Sequence, residues 1–395
     1  MYIEKEPGLK NQENQGNQMG ITKTVLGVLA IGVCAGGTLA QDLIPSDDRW
    51  ATIGDPGNRN PEGSEVLWPN ATPRGSVSYE YRMAKRELTL GEYLEFAIAY
   101  APIYFQNHPE DFIADIAFSG VYLLIDTGQV RLRGSNYDRA AHMGWEYLAR
   151  YINWLHHGKV IEEWAFETGV YDLSTFIWDE NEEWMPQPVH TIEARYWVPT
   201  QSEWNKAAYW DPNKFGSGDG GYWLYPNRTD TPLLPCLIPS EGGQRNAGED
   251  RSVFPLSVAS YVDQKSPWGL YDLAGGESEW TEKLIPGLPG FHIRGRMGTE
   301  WRDTFYNVPF SEWEWDLDRL GTPFSTGVTG VLGARVASTQ WSAADINMDG
   351  RVDYFDISLF IAKFLAEDLR ADFRLDGELN RSDVEVFLGL YIHER

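Results

Sequence analysis

Apolar side chains recur at intervals of three and four in a few short stretches of this chain, and those stretches predict its helices. Leu90 to Tyr100 is one. Ala140 to His156 is a second, with Met143, Tyr147, Tyr151 and Trp154 at the helical spacing. A third is expected after Pro199-Thr200, capped by Thr200 or Ser202, with Trp204, Ala207 and Ala208 turned inward. Two more lie near the C-terminus. Ile357, Phe360, Ile361, Phe364 and Leu365 are expected to line one face of the first, and Val384, Phe387, Leu388 and Tyr391 repeat the i, i+3, i+4, i+7 pattern in the second.

Elsewhere the pattern is broken. Residues 41–77 are rich in Pro, Gly, Asn and Asp without sustained periodicity, and predict an irregular lead-in. From Asp211 to Gly290 glycine and proline interrupt the chain too often for long elements, so loops are expected to carry much of that region. Irregular backbone needs support, and 17 Trp with 20 Tyr supply it: each offers a large buried area and one polar handle. The aromatic load is therefore read as packing before ligand stacking.

Near the start, Met19 to Lys23 gives a short positive region, Val25 to Ala35 an apolar run, and Thr38-Leu39-Ala40 a small-residue ending before Gln41. This is the pattern of a secretory signal cleaved near Ala40, with Met19 as the expected start of translation. The run is too short to cross a hydrocarbon core of roughly 30 Å as a helix, so no membrane span is expected. Val33 stands where a lipoprotein box would need a small residue before Cys34. The protein is thus expected to be secreted, extracellular or at the cell surface.

Charge narrows the partners. The formal net charge of −25 repels nucleic acid and anionic membrane surfaces, so neither is expected as a partner. Of two cysteines, Cys34 falls in the expected signal, leaving Cys236 as the only thiol of the mature chain and no internal disulfide. Cys236 sits among Leu233, Leu234, Leu237 and Ile238, a setting that suits a buried small hydrophobe.

The sharpest chemical signal is Asp345-Ile346-Asn347-Met348-Asp349-Gly350-Arg351-Val352-Asp353-Tyr354-Phe355-Asp356. A hard cation such as Ca²⁺ takes several oxygen ligands, and an EF-hand-type loop supplies them from positions 1, 3, 5, 7, 9 and 12 with Gly at 6 for the turn. Asp345, Asn347, Asp349, Asp353 and Asp356 occupy 1, 3, 5, 9 and 12, Gly350 is at 6, and Arg351 offers its carbonyl at 7. A second copy begins 27 residues later at Asp372, with Asp376, Gly377, Glu378, Asn380 and Asp383 at 5, 6, 7, 9 and 12. Its position 3 is Arg374, a cation that cannot ligate a metal. The first loop is expected to bind calcium and the second weakly or not at all.

Other templates are missing. There is no His-Glu-x-x-His, no Gly-rich phosphate loop with Lys and no Gly-x-Ser-x-Gly. His156-His157 follows a predicted helix, where a solvated role at its C-terminus is expected. Paired carboxylates cannot be picked from 58 acids by spacing.

Several segments in order resemble the formylglycine-generating enzyme, or sulfatase-modifying factor, family. They run from about Tyr79 to Ser338: Lys85 to Phe96, Trp197-Val198-Pro199-Thr200-Gln201-Ser202-Glu203-Trp204, Gly269 to Gly275, Glu279-Trp280, Arg294-Gly295, and Gly333-Ala334-Arg335-Val336-Ala337-Ser338. The resemblance implies a C-type-lectin-like α+β fold with little regular secondary structure. It also implies structural calcium through Glu279 and Asn246, although Gly276 stands where the family has an Asn. The family's copper-binding cysteine pair would fall between Arg294 and Tyr306, and no cysteine is there. Thiolates suit Cu(I) and carboxylates do not replace them, so formylglycine formation is not expected. Residues 341–395, with Asp at position 12 and two loop-helix units, resemble a type I dockerin, a small all-α module, and imply a cohesin-like protein partner.

The chain therefore divides, on this reading, into an extension and signal (1–40), a lead-in (41–77), a formylglycine-enzyme-like body (78–340) and a dockerin-like module (341–395). The expected function is a secreted calcium-binding protein whose body is a non-catalytic binding or scaffold unit for an unidentified ligand or peptide. The alternative is a secreted enzyme on the same scaffold with altered chemistry near Glu300 or Asp303, associated with polysaccharide or sulfatase metabolism.

Overall fold

The computed structural model describes residues 49–65, 74–109, 113–117, 121–124, 129–132, 137–176, 187–192, 194–234, 239–244, 256–286, 292–298, 332–339, 344–346, 352–368, 371–373 and 378–393. They form a mixed α+β structure of short antiparallel sheets and helices. In chain order the elements are β1 (Trp50–Ile53), β2 (Tyr81–Ala84), α1 (Leu90–Asn107), β3 (Ile113–Ala117), β4 (Val121–Leu124), β5 (Gln129–Leu132), α2 (Trp145–His156), α3 (Glu163–Glu167), β6 (Tyr196–Trp197), α4 (Gln201–Tyr209), β7 (Trp210–Gly216), β8 (Asp219–Tyr222), β9 (Glu279–Pro286), β10 (His292–Met297), β11 (Ala337–Ser338), α5 (Tyr354–Leu365) and α6 (Arg381–His393). No helix among the described residues is long and apolar enough to cross a membrane.

The central sheet has the order β1-β2-β11-β6, so strands far apart in sequence are neighbours in space. β11 pairs antiparallel with both β2 and β6, setting Ala337 opposite Met83 and Trp197. Every residue of β2 is buried, as befits a strand with both edges paired and both faces covered. The hairpins β9/β10 and β7/β8 and the sheet β3-β4-β5 complete the strands.

Local chemistry explains the helix starts. Thr89 caps α1 and Thr200 caps α4, each in a capping box with the acid three residues on, Glu92 and Glu203. Of the two caps considered for α4, Thr200 is the one used, and Trp204, Ala207 and Ala208 are buried as expected. α1 runs past the predicted end at Tyr100, through Pro102 to Asn107. Burial of Ile103 and edge contact between Tyr100 and Tyr104 hold the extra turns despite the hydrogen bond that proline cannot make.

α2 begins at Trp145 rather than Ala140, with Gly144 as its N-cap. The preceding residues are used otherwise: the Ala141 N–H donates to the Leu88 carbonyl, and Met143 bridges Leu332. The aromatic residues are chiefly packing, since Trp145, Trp197, Trp204 and Trp280 are each at most 2% exposed.

A second core forms around α5 and α6 from Ala344, Ile346, Phe360, Ala371, Phe387 and Tyr391. Phe360 and Phe387, equivalent in the 27-residue repeat, stack face to face at 4.1 Å and 7°. The predicted apolar stripes are split here. Phe360, Phe387 and Tyr391 go inward, whereas Ile361, Leu365 and Leu388 are exposed, because a core of two short helices can cover only a narrow arc of each.

Candidate functional site

The loop ends beside α5 and α6 carry the densest acid burial of the C-terminal region. Asp345 and Asp356 are fully buried, and so is Asp383, with Asp372 at 7% exposure. These are positions 1 and 12 of the two predicted loops. The halves are built alike: the Asp353 N–H donates to Asp356 Oδ2 at 2.8 Å, and the Asn380 N–H donates to Asp383 Oδ2 at 2.8 Å. Asp353 Oδ1 accepts from the Phe355 N–H, as Asn380 Oδ1 does from that of Ser382. Position 9 thus caps the helix while position 12 turns back over it.

Burying four carboxylates in so small a core requires compensating positive charge. Hard oxygen donors suit a calcium ion, and the residues whose types and spacing could hold one in the first loop are Asp345, Asn347, Asp349, Arg351 through its carbonyl, Asp353 and Asp356. Among the described residues no three acidic, histidine or cysteine side chains converge on one point. Asn347, Asp349, Arg351 and Asp376 lie outside the described residues, as do Asn246, Cys236, Glu300, Asp303 and residues 1–48. Glu378 begins the described approach to α6, where its carbonyl lies 3.4 Å from the Asn380 amide.

In the body, Glu279 is fully engaged. Its carboxylate accepts from the Arg335 guanidinium at 2.7–3.2 Å and from the Trp204 indole at 2.7 Å, with both charged side chains at most 1% exposed. Arg335 also donates to the Ala84 and Tyr271 carbonyls at 2.9 and 2.8 Å, tying the end of β2 to the loop before β9.

Next to this pair lies a cavity of about 20 Å³, room for roughly one water, lined by Glu87, Arg139, Asp272, Gly276 and Glu277 among others. Glu87 is 3% exposed and accepts from the Glu277 N–H at 2.9 Å. Asp272 accepts from the Ala259 N–H, and Glu277 pairs with His142. Gly276 takes φ +75°, and a Cβ there would stand 3.0 Å from both Glu87 oxygens, so the segment needs glycine at this point. Burial first, then the charges of Asp272 and Glu279, pushes Glu87 well above the usual carboxylate range, against the opposing pull of Arg335. Burial likewise pushes Asp272 up to about 6, against the Ala259 hydrogen bond and Arg335.

Both acids hold a proton more tightly when folded than when unfolded. Their stability contribution is complete below the ordinary carboxylate range and is lost as pH rises through the raised values, at most about 1.4 kcal/mol per proton per pH unit. The melting temperature should therefore fall from pH 5 to pH 8, and Glu87→Gln should flatten that fall, since the amide keeps the acceptor for Glu277 and offers an N–H beside Asp272. An unchanged slope in thermal melts of the variant would reject this assignment.

No protein-family model matches the sequence, nor does any curated protein. Among solved structures, that of CarF is similar over 73% of this chain and 97% of that one, at 15% identity and a TM-score of 0.41.

Sequence reasoning named Glu279 for calcium and did not foresee its Arg335 partner, 56 residues further on. It also passed over Glu87 and Asp272, which carry no spacing signal, being brought together only by the fold.

Proposed function

We propose that this chain is a secreted calcium-dependent docking protein: a body resembling formylglycine-generating enzymes without their cysteine pair, followed by a module resembling a type I dockerin. The observation that carries the calcium reading is the repeated construction of the two half-modules, with buried aspartates at both ends of each loop and the same 2.8 Å contact from residue 9 to residue 12. The missing sulfur ligands support a body that binds or scaffolds rather than oxidises, because no hard donor replaces a thiolate toward Cu(I). The partner is a cohesin-like protein, met through the surface of residues 341–395, where Ile361, Leu365, Leu388 and Ile392 expose apolar area at positions related by the same repeat.

The test is an affinity capture with the full chain from the source organism's own secreted fraction. A discrete partner should be retained in calcium, released by a chelator, and lost with Asp345→Ala. Retention that ignores both the chelator and the substitution contradicts the docking reading.

The rival reading, an enzyme on the same scaffold with different chemistry, is favoured by one feature of the body: a partly exposed imidazole mounted on a buried carboxylate.

A further inference from the structure

That imidazole belongs to His190. Its Nδ1 lies 2.9 and 3.0 Å from the two oxygens of Glu282, and the His190 backbone N–H donates to the same carboxylate at 2.9 Å. Glu282 is buried and also accepts from the Tyr171 hydroxyl at 2.5 Å. The ring stacks on Trp197 at 4.8 Å and 22°. With Nδ1–H committed to Glu282, the neutral ring keeps its lone pair on Nε2, which has no hydrogen-bond partner among the described residues. The His190 side chain is 21% exposed, against 1% for Glu282.

The segment presenting this ring is pinned along its length. Arg294, fully buried over the Trp145 ring at 4.2 Å, donates to the carbonyls of Gln187, Pro188 and Glu282. The Gln187 side chain donates to the carbonyls of Val170 and Val189, and the Thr191 N–H to that of Val170. A single imidazole is thereby held in one orientation by buried groups from β9, β10 and the Val170–Tyr171 turn. This is the kind of support a reactive side chain needs, and more than a packing residue requires. Next to it in sequence Val189 and Ile192 expose apolar surface, and Tyr79, itself exposed, donates its hydroxyl to Glu203, the carboxylate that also accepts from the Trp197 indole N–H.

We propose that His190 is a nucleophilic acid–base site that takes the acyl group of an activated ester with an apolar or aromatic body. The Nε2 lone pair bonds to the carbonyl carbon, and the carbon–oxygen bond to the leaving group breaks, the oxygen departing with the electron pair. Glu282 balances the positive charge on the ring. Water then attacks the acyl-imidazole, releasing the carboxylic acid and restoring the ring, so that ester and water become acid and alcohol. Glu282 and Arg294 are positioning residues: one fixes the tautomer, the other the loop. The inference is independent of the calcium-dependent docking reading, and either can fail alone.

The test uses the full chain with p-nitrophenyl acetate. Mass-spectrometric mapping of the wild-type protein should find His190 acetylated faster than the exposed His108. His190→Asn should lower the rate of p-nitrophenol release at least about tenfold with the melting temperature kept. Burial lowers the pKa of His190, but the Glu282 hydrogen bond and charge outweigh this and raise it. Only the neutral ring attacks, so the wild-type rate should climb through a midpoint above that of an ordinary histidine side chain. Glu282→Gln should move the midpoint down while leaving acetylation at His190, a shift that a merely structural role would not produce. Acetylation of His190 no faster than of His108, or a rate unchanged in His190→Asn, overturns the proposal.

Discussion

Arg335→Met should cost the body about 3–5 kcal/mol, the penalty of leaving a buried carboxylate without its cation. Glu279 would stay at 1% exposure with one indole N–H as its remaining charge-stabilising donor, and the carbonyls of Ala84 and Tyr271 would lose theirs. These contacts join β2, the loop before β9 and β9 itself, so the loss should appear as a lower urea midpoint for the whole tryptophan signal. The double variant Arg335→Met with Glu279→Met should recover much of the loss, because two methionines of similar volume need no charge compensation. A single variant losing under about 1 kcal/mol would show that the pair is not what holds these segments together.

Withdrawing calcium should unfold the C-terminal region and leave the body intact. α5 and α6 span 12 and 13 residues, lengths at which an isolated helix is marginal in water, and they share one small core. Without a cation, mutual repulsion and desolvation of Asp345, Asp356, Asp372 and Asp383 oppose that core. Calcium at about a thousand times its dissociation constant adds about 4 kcal/mol to the folded form, comparable to all that so small a core supplies. Of the 17 tryptophans only Trp341 falls within residues 341–395, at their first position, so fluorescence reports chiefly the body and far-ultraviolet circular dichroism reports the tail helices as well. A chelator should reduce helicity and leave the tryptophan spectrum largely unchanged.

The helices were legible where apolar spacing and a cap coincide, as at Thr89 and Thr200, because both signals are local. The start of α2 was not, since the segment from Ala141 to Met143 obeys partners at Leu88 and Leu332. For α5 and α6 periodicity shows which apolar residues share a face and not how much of that face a neighbour covers, so the exposure of Ile361, Leu365 and Leu388 was not legible. The two loop-helix halves stood out in the sequence because their pattern is contiguous with fixed offsets, and the structure buries the aspartates at both ends of each half. His190 and Glu282 are 92 residues apart, and neither residue type nor spacing marks the pair; only the fold sets them side by side.

The most direct test is a calorimetric titration of calcium into the metal-free full chain. One strong site per chain, lost in Asp349→Ala, with the second loop weak or silent, is the result predicted by oxygen donors at positions 1, 3, 5, 7, 9 and 12 of the first loop and an arginine at position 3 of the second. Two equal sites, no heat of binding, or full binding in Asp349→Ala would contradict it.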